Sequence, residues 1–188
     1  RELKTQGIDI IGLSLGEPDF NTPEFIKDAA IQAVQDNWNS YSPVDGYVDL
    51  KEAICEKFKR DNHISYTPSQ IVVSTGAKQS IANVCLVLLN PGDEVLLPAP
   101  YWVSYSAIAT LAEAKSIIIP SSIETDFKIT PEQLEAAITP KTKLVMFNSP
   151  NNPSGTIYTE AEYRALGKVL EKYPDIYILS DEIYEHIN

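Results

Sequence analysis

Residues 94–120 read "EVLLPAPYWVSYSAIATLAEAKSIIIP". Two short runs rich in Val, Leu and Ile enclose a segment of helical length, and turn-forming Pro and Ala-Pro mark the exits. A strand, a helix and a second strand in this order form a βαβ unit, whose strands pair in parallel. The same alternation continues on both sides. "IVVS" at 71–74 precedes "KQSIANVCLVLL" at 78–89, and "SIIIP" at 116–120 precedes "TPEQLEAAI" at 130–138. "KLVMF" at 143–147 then precedes "TEAEYRALGKVLEKY" at 159–173, and "IYILS" at 176–180 closes the series. The fold class is therefore α/β, a mostly parallel sheet covered by helices. Continuously apolar strands predict burial on both faces.

Capping signals agree with this parse. Thr130 with Gln133 and Thr159 with Glu162 fit the capping box, and Asn90-Pro91-Gly92 is a stop signal. Upstream, "NTPEFIKDAAIQAVQDN" predicts a helix capped by Thr22, with Pro23 at its first position and Ile26, Ala29, Ala30, Ala33 and Val34 on one face. "DLKEAICEKFKRDN" predicts another, buried through Leu50, Ala53, Ile54 and Phe58. The opening "RELKTQGIDIIGLSLG" reads as the tail of a polar helix entering a buried segment.

Composition bounds the function. With 188 residues and 44% hydrophobic content, the chain can bury roughly 70% of its unfolded surface. A net charge of −11 and a pI of about 4.6 supply no basic field for nucleic acid or an anionic membrane. No apolar run approaches the length of a membrane span. Cys55 and Cys85 form no CxxC and no Cys/His cluster, so buried free thiols in a reducing compartment, the cytoplasm, are expected. His63 and His186 lack partners at ligand spacing, and no metal site is predicted.

In an open α/β sheet, ligands sit beyond the carboxyl ends of the strands. The residues there are unusually polar. After "IVVS", Gly76 permits a turn, and the amides of Ala77 and Lys78 open a helix that can hold a phosphate. After "EVLLPAP", Trp102 offers an indole for stacking on a planar ring. After "KLVMF", the loop "NSPNNPSG" fixes the amide of Asn152. After "IYILS", Asp181 offers a carboxylate for a protonated ring nitrogen, and Tyr184 joins Asn152 as a donor to a phenolate. Singly, each has a plain alternative: a glycine turn that binds nothing, a core tryptophan, a turn-rich loop, a solvated acidic turn. Together they describe pyridoxal 5′-phosphate.

"SLGEPDFNTP", "YSPVDGYVDLKEAI", "STGAKQSI", "PGDEVLLPAPYWVSY", "NSPNNPSGTIY" and "LSDEIYE" resemble, in order and spacing, the fold-type-I pyridoxal-phosphate aminotransferases of class I/II. The likeness is nearest to the bacterial aspartate aminotransferase branch. It implies a three-layer α/β/α large domain, with residues 1–40 as an N-terminal segment shared between the small domain and the interdomain helix, and 41–188 as the first part of the cofactor-binding large domain. It implies that Asp181 pairs with the pyridine nitrogen, that Asn152 and Tyr184 bond the ring's O3′, that Trp102 stacks on the ring, and that Gly76, Ala77 and Lys78 hold the phosphate. Tyr41 would reach the phosphate of a neighbouring subunit, so a homodimer is expected. Gly16 would contact the substrate α-carboxylate, with Trp102 and Asn152 also facing substrate. The implied reaction passes the amino group of an L-amino acid, aspartate first, to a 2-oxo acid such as 2-oxoglutarate.

The family also needs a Schiff-base lysine in a Ser-rich segment after a further strand, and a C-terminal arginine for the α-carboxylate. Neither motif occurs, since Lys78 matches the phosphate loop and Lys141, Lys143 and Lys168 read as surface residues. Two strands of the family's sheet, which lie between its first strand and the others, would likewise come from elsewhere. The chain thus reads as the N-terminal half of a longer enzyme, inactive alone. Rival readings are a non-catalytic fragment or pseudo-enzyme, a carbon–sulfur lyase or decarboxylase on the same fold, and a dinucleotide-binding domain. The last lacks GxGxxG and GxxxxGK[ST].

Overall fold

The computed structural model describes residues 2–11, 16, 18 and 20–187. They fall into two units, Arg1–Val44 and Asp45–Asn188.

The first unit holds α1 (Glu2–Thr5) and α2 (Glu24–Gln35). The buried segment expected after α1 is not seen in its described part, where Ile8 and Ile11 are exposed and Ile10 is half-buried, and residues 12–15 lie outside the described residues. Pro23, with extended ψ of 143°, occupies the N-cap of α2 in place of Thr22, and no side chain caps the helix. The predicted apolar stripe is not buried either. Ile26 and Val34 are exposed, as are Ala29 and Ala30, and only Ala33 is half-buried. An amphipathic face needs an opposing surface, which the described residues of this unit do not supply.

The second unit begins with α3 (Val48–Asn62). Its inward face is turned from the predicted one: Lys51 is buried against Asp45, Ile54 and Phe58 are half-buried, and Leu50 and Ala53 are exposed. Then follow α4 (Ala77–Leu88), β1 (Glu94–Pro98), α5 (Ser104–Leu111), β2 (Lys115–Ile119), α6 (Pro131–Ala137), β3 (Thr142–Asn148), α7 (Glu160–Leu170) and β4 (Tyr177–Asp181). The four strands form one parallel sheet in the order β2-β1-β3-β4.

The period-2 alternation of β1 and β3 divides the core into two layers. Val95, Leu97, Leu144 and Met146 point to one face, where α4 and α5 supply Ile81, Cys85, Tyr105, Ile108 and Ala109. Leu96, Val145 and Phe147 point to the other, where α6 and α7 supply Leu134, Leu166, Val169 and Leu170. The chain moves outward from β1 to β2 through α5, then reverses to β3 and β4 through α6 and α7. Crossovers of one hand put the helices of opposite directions on opposite faces, which is the arrangement seen.

Two expectations need correction. Burial on both faces holds for β1 and β3, but β2 and β4 are edge strands of the described sheet, and Ile118, Tyr177 and Ile178 are exposed. "IVVS" at 71–74 is no strand of this sheet. Ile71 is extended, but the segment is unpaired in any described ladder, because strand state requires a neighbouring chain to bond. It is tethered instead by Val73 N–H to Asp45 O at 3.1 Å.

The capping boxes at Thr130/Gln133 and Thr159/Glu162 form as predicted. Cys85 is fully buried, and burial pushes its thiol up to about 11; Cys55 is half-buried.

Two outcomes follow from this packing. Gly46 has φ +98°, and a β-carbon there would lie 2.6 Å from Val73 Cγ2. Gly46→Ala should therefore cost about 1–3 kcal/mol in urea unfolding, and an unchanged midpoint would refute the tether. Glu162 accepts from Lys128 and from the backbone of Thr159, and these hold its carboxyl at about 2. A depressed folded pKa gives stability that is present above the ordinary value and lost as pH falls towards 2. Glu162→Gln should remove part of the acid limb below pH 4.5, by well under 1 kcal/mol because the side chain is 39% exposed. Superimposable acid profiles would contradict it.

Candidate functional site

The order β2-β1-β3-β4 reverses direction between β1 and β3, so a crevice opens beyond the carboxyl ends of these neighbours. The loops leaving β1 and β3 flank it, and β4 and the start of α4 border it. Prolines shape both loops, with cis peptides at Ala99–Pro100, Ser149–Pro150 and Asn152–Pro153.

The central brace is Asn148, the last residue of β3, which is buried at 6% exposure. Its Nδ2 donates to the backbone oxygen of Asp181 at 2.9 Å, and its Oδ1 accepts the N–H of Asn152 at 2.7 Å. One amide thus fixes both the end of β4 and the loop carrying Asn152. From that loop, Asn152 Nδ2 donates to Tyr184 Oη at 3.2 Å. Glu185, next along, accepts from Lys57 Nζ and Asn62 Nδ2 on α3 and so secures the segment that carries Tyr184.

Asp181, the final residue of β4, is buried at 9% exposure. Tyr105 Oη donates to its Oδ2 at 2.6 Å, and the N–H of Ile183 donates to its Oδ1 at 3.2 Å. Tyr105 in turn meets the Trp102 ring edge-on, with centroids 5.6 Å apart and planes at 88°. Lys78 Nζ sits 4.9 Å from the centroid of Trp102. Trp102 is half-buried and packed against the α4/α5 core layer.

Lys78 belongs to the first turn of α4. Gly76, with φ +95° and ψ 159°, adopts a backbone that a side chain would disfavour and turns the chain into the helix. The N–H groups of Ala77 and Lys78 lie in the first turn, where no intrahelical acceptor exists. Thr75 N–H and Oγ1 both donate to Gln79 Oε1 at 2.6 Å, fixing the approach to that turn. A cleft of about 300 Å³ runs between α4 and the end of β4, lined by Ala77, Ser80, Ile81 and Asp181 among others.

The predicted residues of the second unit therefore come together. Lys78, Trp102, Asp181, Asn152 and Tyr184 are joined through Tyr105 and Asn148, two residues that the sequence reading did not single out. Tyr105 carried a signal in its place three residues after Trp102, and Asn148 in being the polar end of an apolar strand. Gly16 and Tyr41 belong to the first unit; both are exposed, Tyr41 fully, and their relation to this crevice is not part of the geometry. Among the described residues no cluster of three His, Cys, Asp or Glu has metal-site geometry, and no helix is long and apolar enough to cross a membrane.

The donor set has a definite chemistry. Unpaired N–H groups at a helix start, beside an ammonium, suit a phosphate. A buried carboxylate suits a protonated ring nitrogen, and an amide converging with a phenol suits an oxyanion. Pyridoxal 5′-phosphate carries all three groups around one aromatic ring, and the residues present fit it.

Comparison with known proteins points the same way. The family model described as aminotransferase class I and II matches residues 8–187. The chain is 54% identical over 187 residues to the aspartate/prephenate aminotransferase of Cereibacter sphaeroides, and 51% identical over 187 residues to the aspartate aminotransferase of Bacillus subtilis. Each alignment covers 100% of this chain and 47% of the relative. The aspartate aminotransferase structure from Rhizobium meliloti superposes with a TM-score of 0.95 at 47% identity, over 99% of this chain and 46% of that one. The Thermus thermophilus enzyme with maleate gives 0.93 at 43% identity, over 98% and 48%. The chain spans about half the length of the curated relatives it matches. A match over nearly every residue, with relatives at this identity and a superposable α/β/α sheet, identifies the lineage: the chain belongs to the class I and II aminotransferases, a family that works with pyridoxal phosphate.

Proposed function

We propose that the protein transfers the amino group of an L-amino acid, aspartate first, to a 2-oxo acid, with 2-oxoglutarate as acceptor, as a cytoplasmic homodimer. The observation that carries this reading is the contact series Lys78–Trp102–Tyr105–Asp181 and Asn148–Asn152–Tyr184, which lines one sheet edge with groups complementary to one cofactor. In this reading residues 41–188 are the first part of the cofactor-binding large domain, and residues 1–40 contribute to the small domain and the interdomain helix.

Bound pyridoxal phosphate supplies an electron sink for the charge left when the substrate's α-proton departs. Asp181 would keep a proton on the ring nitrogen, because a carboxylate held in a buried site favours a cation beside it. Asn152 and Tyr184, which meet at 3.2 Å, would bond the ring's O3′. Gly76, Ala77 and Lys78 would hold the phosphate, and Trp102 would stack on the ring. Gly16 would receive the substrate α-carboxylate, and Tyr41 would reach the phosphate of a partner subunit. Donor selectivity rests on the names of the relatives, which are aspartate or aspartate/prephenate aminotransferases. Prephenate is accordingly the second acceptor to be tested.

In the full-length holoenzyme, aspartate should outpace alanine and phenylalanine in single-turnover amino transfer by about tenfold or more, a difference of about 1.4 kcal/mol in the barrier. Equal rates for aspartate, glutamate, phenylalanine and alanine would sink the aspartate preference, and a faster turnover with prephenate than with 2-oxoglutarate would reassign the acceptor. Asp181→Asn should retain the phosphate contacts but lower the rate about a hundredfold, the scale of losing one charge-assisted hydrogen bond in a buried site. A variant as fast as the parent would remove Asp181 from the mechanism.

A further inference from the structure

Tyr105 has no role in the reaction described above, yet its phenol holds the carboxylate on which that reaction depends. We infer that Tyr105 is the positioning residue for Asp181, a neutral donor that fixes the carboxylate against the ring nitrogen without competing for its charge. The inference rests on the reading of Asp181 as the ring nitrogen's partner.

The geometry supports this step by step. Tyr105 is 1% exposed, and its hydroxyl hydrogen goes to Asp181 Oδ2 at 2.6 Å. Asp181 Oδ1 is held separately by the N–H of Ile183. Each carboxylate oxygen is thus engaged from a different element, α5 on one side and the turn after β4 on the other, so both side-chain torsions of Asp181 are fixed. Each oxygen keeps a further lone pair for an incoming N–H. The Trp102 edge prevents the phenol ring from swinging away. Burial, reinforced by the hydrogen bond to Asp181, raises the phenol well above its ordinary pKa, so the hydroxyl stays protonated and remains the donor. Neutrality matters here. A cation in this place would pair with Asp181 and weaken its hold on a ring proton, whereas a phenol orients the carboxylate and leaves its charge for the ring.

The test compares two cofactors in the full-length protein: pyridoxal 5′-phosphate and its 1-deaza analogue, in which carbon replaces the ring nitrogen. The readout is the ratio of their dissociation constants, which cancels any general weakening of the site. Tyr105→Phe should lose roughly tenfold of the parent's preference for the natural cofactor, while affinity for the analogue stays within about twofold. Tyr105→Gln, which keeps a neutral donor, should recover much of that preference. Tyr158→Phe alters a buried phenol in the opposite core layer and should leave the ratio unchanged. Equal loss for both cofactors in Tyr105→Phe, or identical behaviour of the Phe and Gln variants, would overturn the inference and make Tyr105 a packing residue. Asp181→Asn separates the two levels: if it abolishes the preference and Tyr105→Phe does not, this inference alone fails. If Asp181→Asn keeps the preference, the ring-nitrogen reading fails and takes this inference with it.

Discussion

The pairing of β1 with β3 is the constraint on which the rest of this unit depends. These strands are not consecutive, since β2 intervenes in sequence but lies on the far side of β1. Their contact therefore creates the reversal in strand order, and with it the crevice. It also demands burial on both faces, and the runs "EVLLP" and "TKLVMFN" meet that demand with side chains alternating between two core layers. Where the ladder begins, Glu94 is buried and accepts from Thr139 Oγ1 at 2.6 Å, which satisfies a carboxylate that would otherwise be costly there. The register shifts at that point, between Glu94 and Val95.

From this pairing the site is assembled by polar side chains placed where the sheet ends. A strand can deliver a residue to an edge, but it cannot aim a carboxylate or an amide. That task falls to groups with satisfied hydrogen bonds in a low-dielectric setting, where each bond is strong and a misplaced one is penalised. Asn148 serves both the end of β4 and the following loop through one amide, and Tyr105 serves Asp181 from across the helix layer. The arrangement is rigid because its parts come from α5, β3, β4 and the loop after β3, which share the core beneath.

Much of this was legible in the sequence, and what was not has physical causes. Periodicity located the strands β1 to β4 and helices α3 to α7, because those segments pack on neighbours within the chain. It misjudged "IVVS" and the stripe on α2 for one reason: apolar pattern records what a segment is suited to bury, not whether a partner is at hand. It overrated β2 and β4 in the same way, since an edge strand keeps its apolar sequence while one side faces outward. Three of the candidate site residues could be read because Trp102, Asn152 and Asp181 stand at or just beyond strand ends and have an uncommon chemistry there. Tyr105 and Asn148 could not, because a tyrosine on an apolar helix face and an asparagine before a turn look like packing and punctuation until their partners are known.

The proposed reading asks an acidic protein to hold a phosphate, an apparent conflict that the range of electrostatic forces removes. Charges farther apart than about 8 Å are largely screened at physiological ionic strength, so the total of −11 governs solubility and encounter more than binding. Binding is decided within the crevice. There Lys78 and the Asp181 carboxylate stand at opposite ends of one contact series, which runs from Lys78 through Trp102 and Tyr105 to Asp181. A ligand with negative charge at one end and positive charge across an aromatic ring matches that polarity, while the reversed orientation would set phosphate against carboxylate. In the proposed reading the same arrangement would also set which way the cofactor lies, with its ring nitrogen toward Asp181.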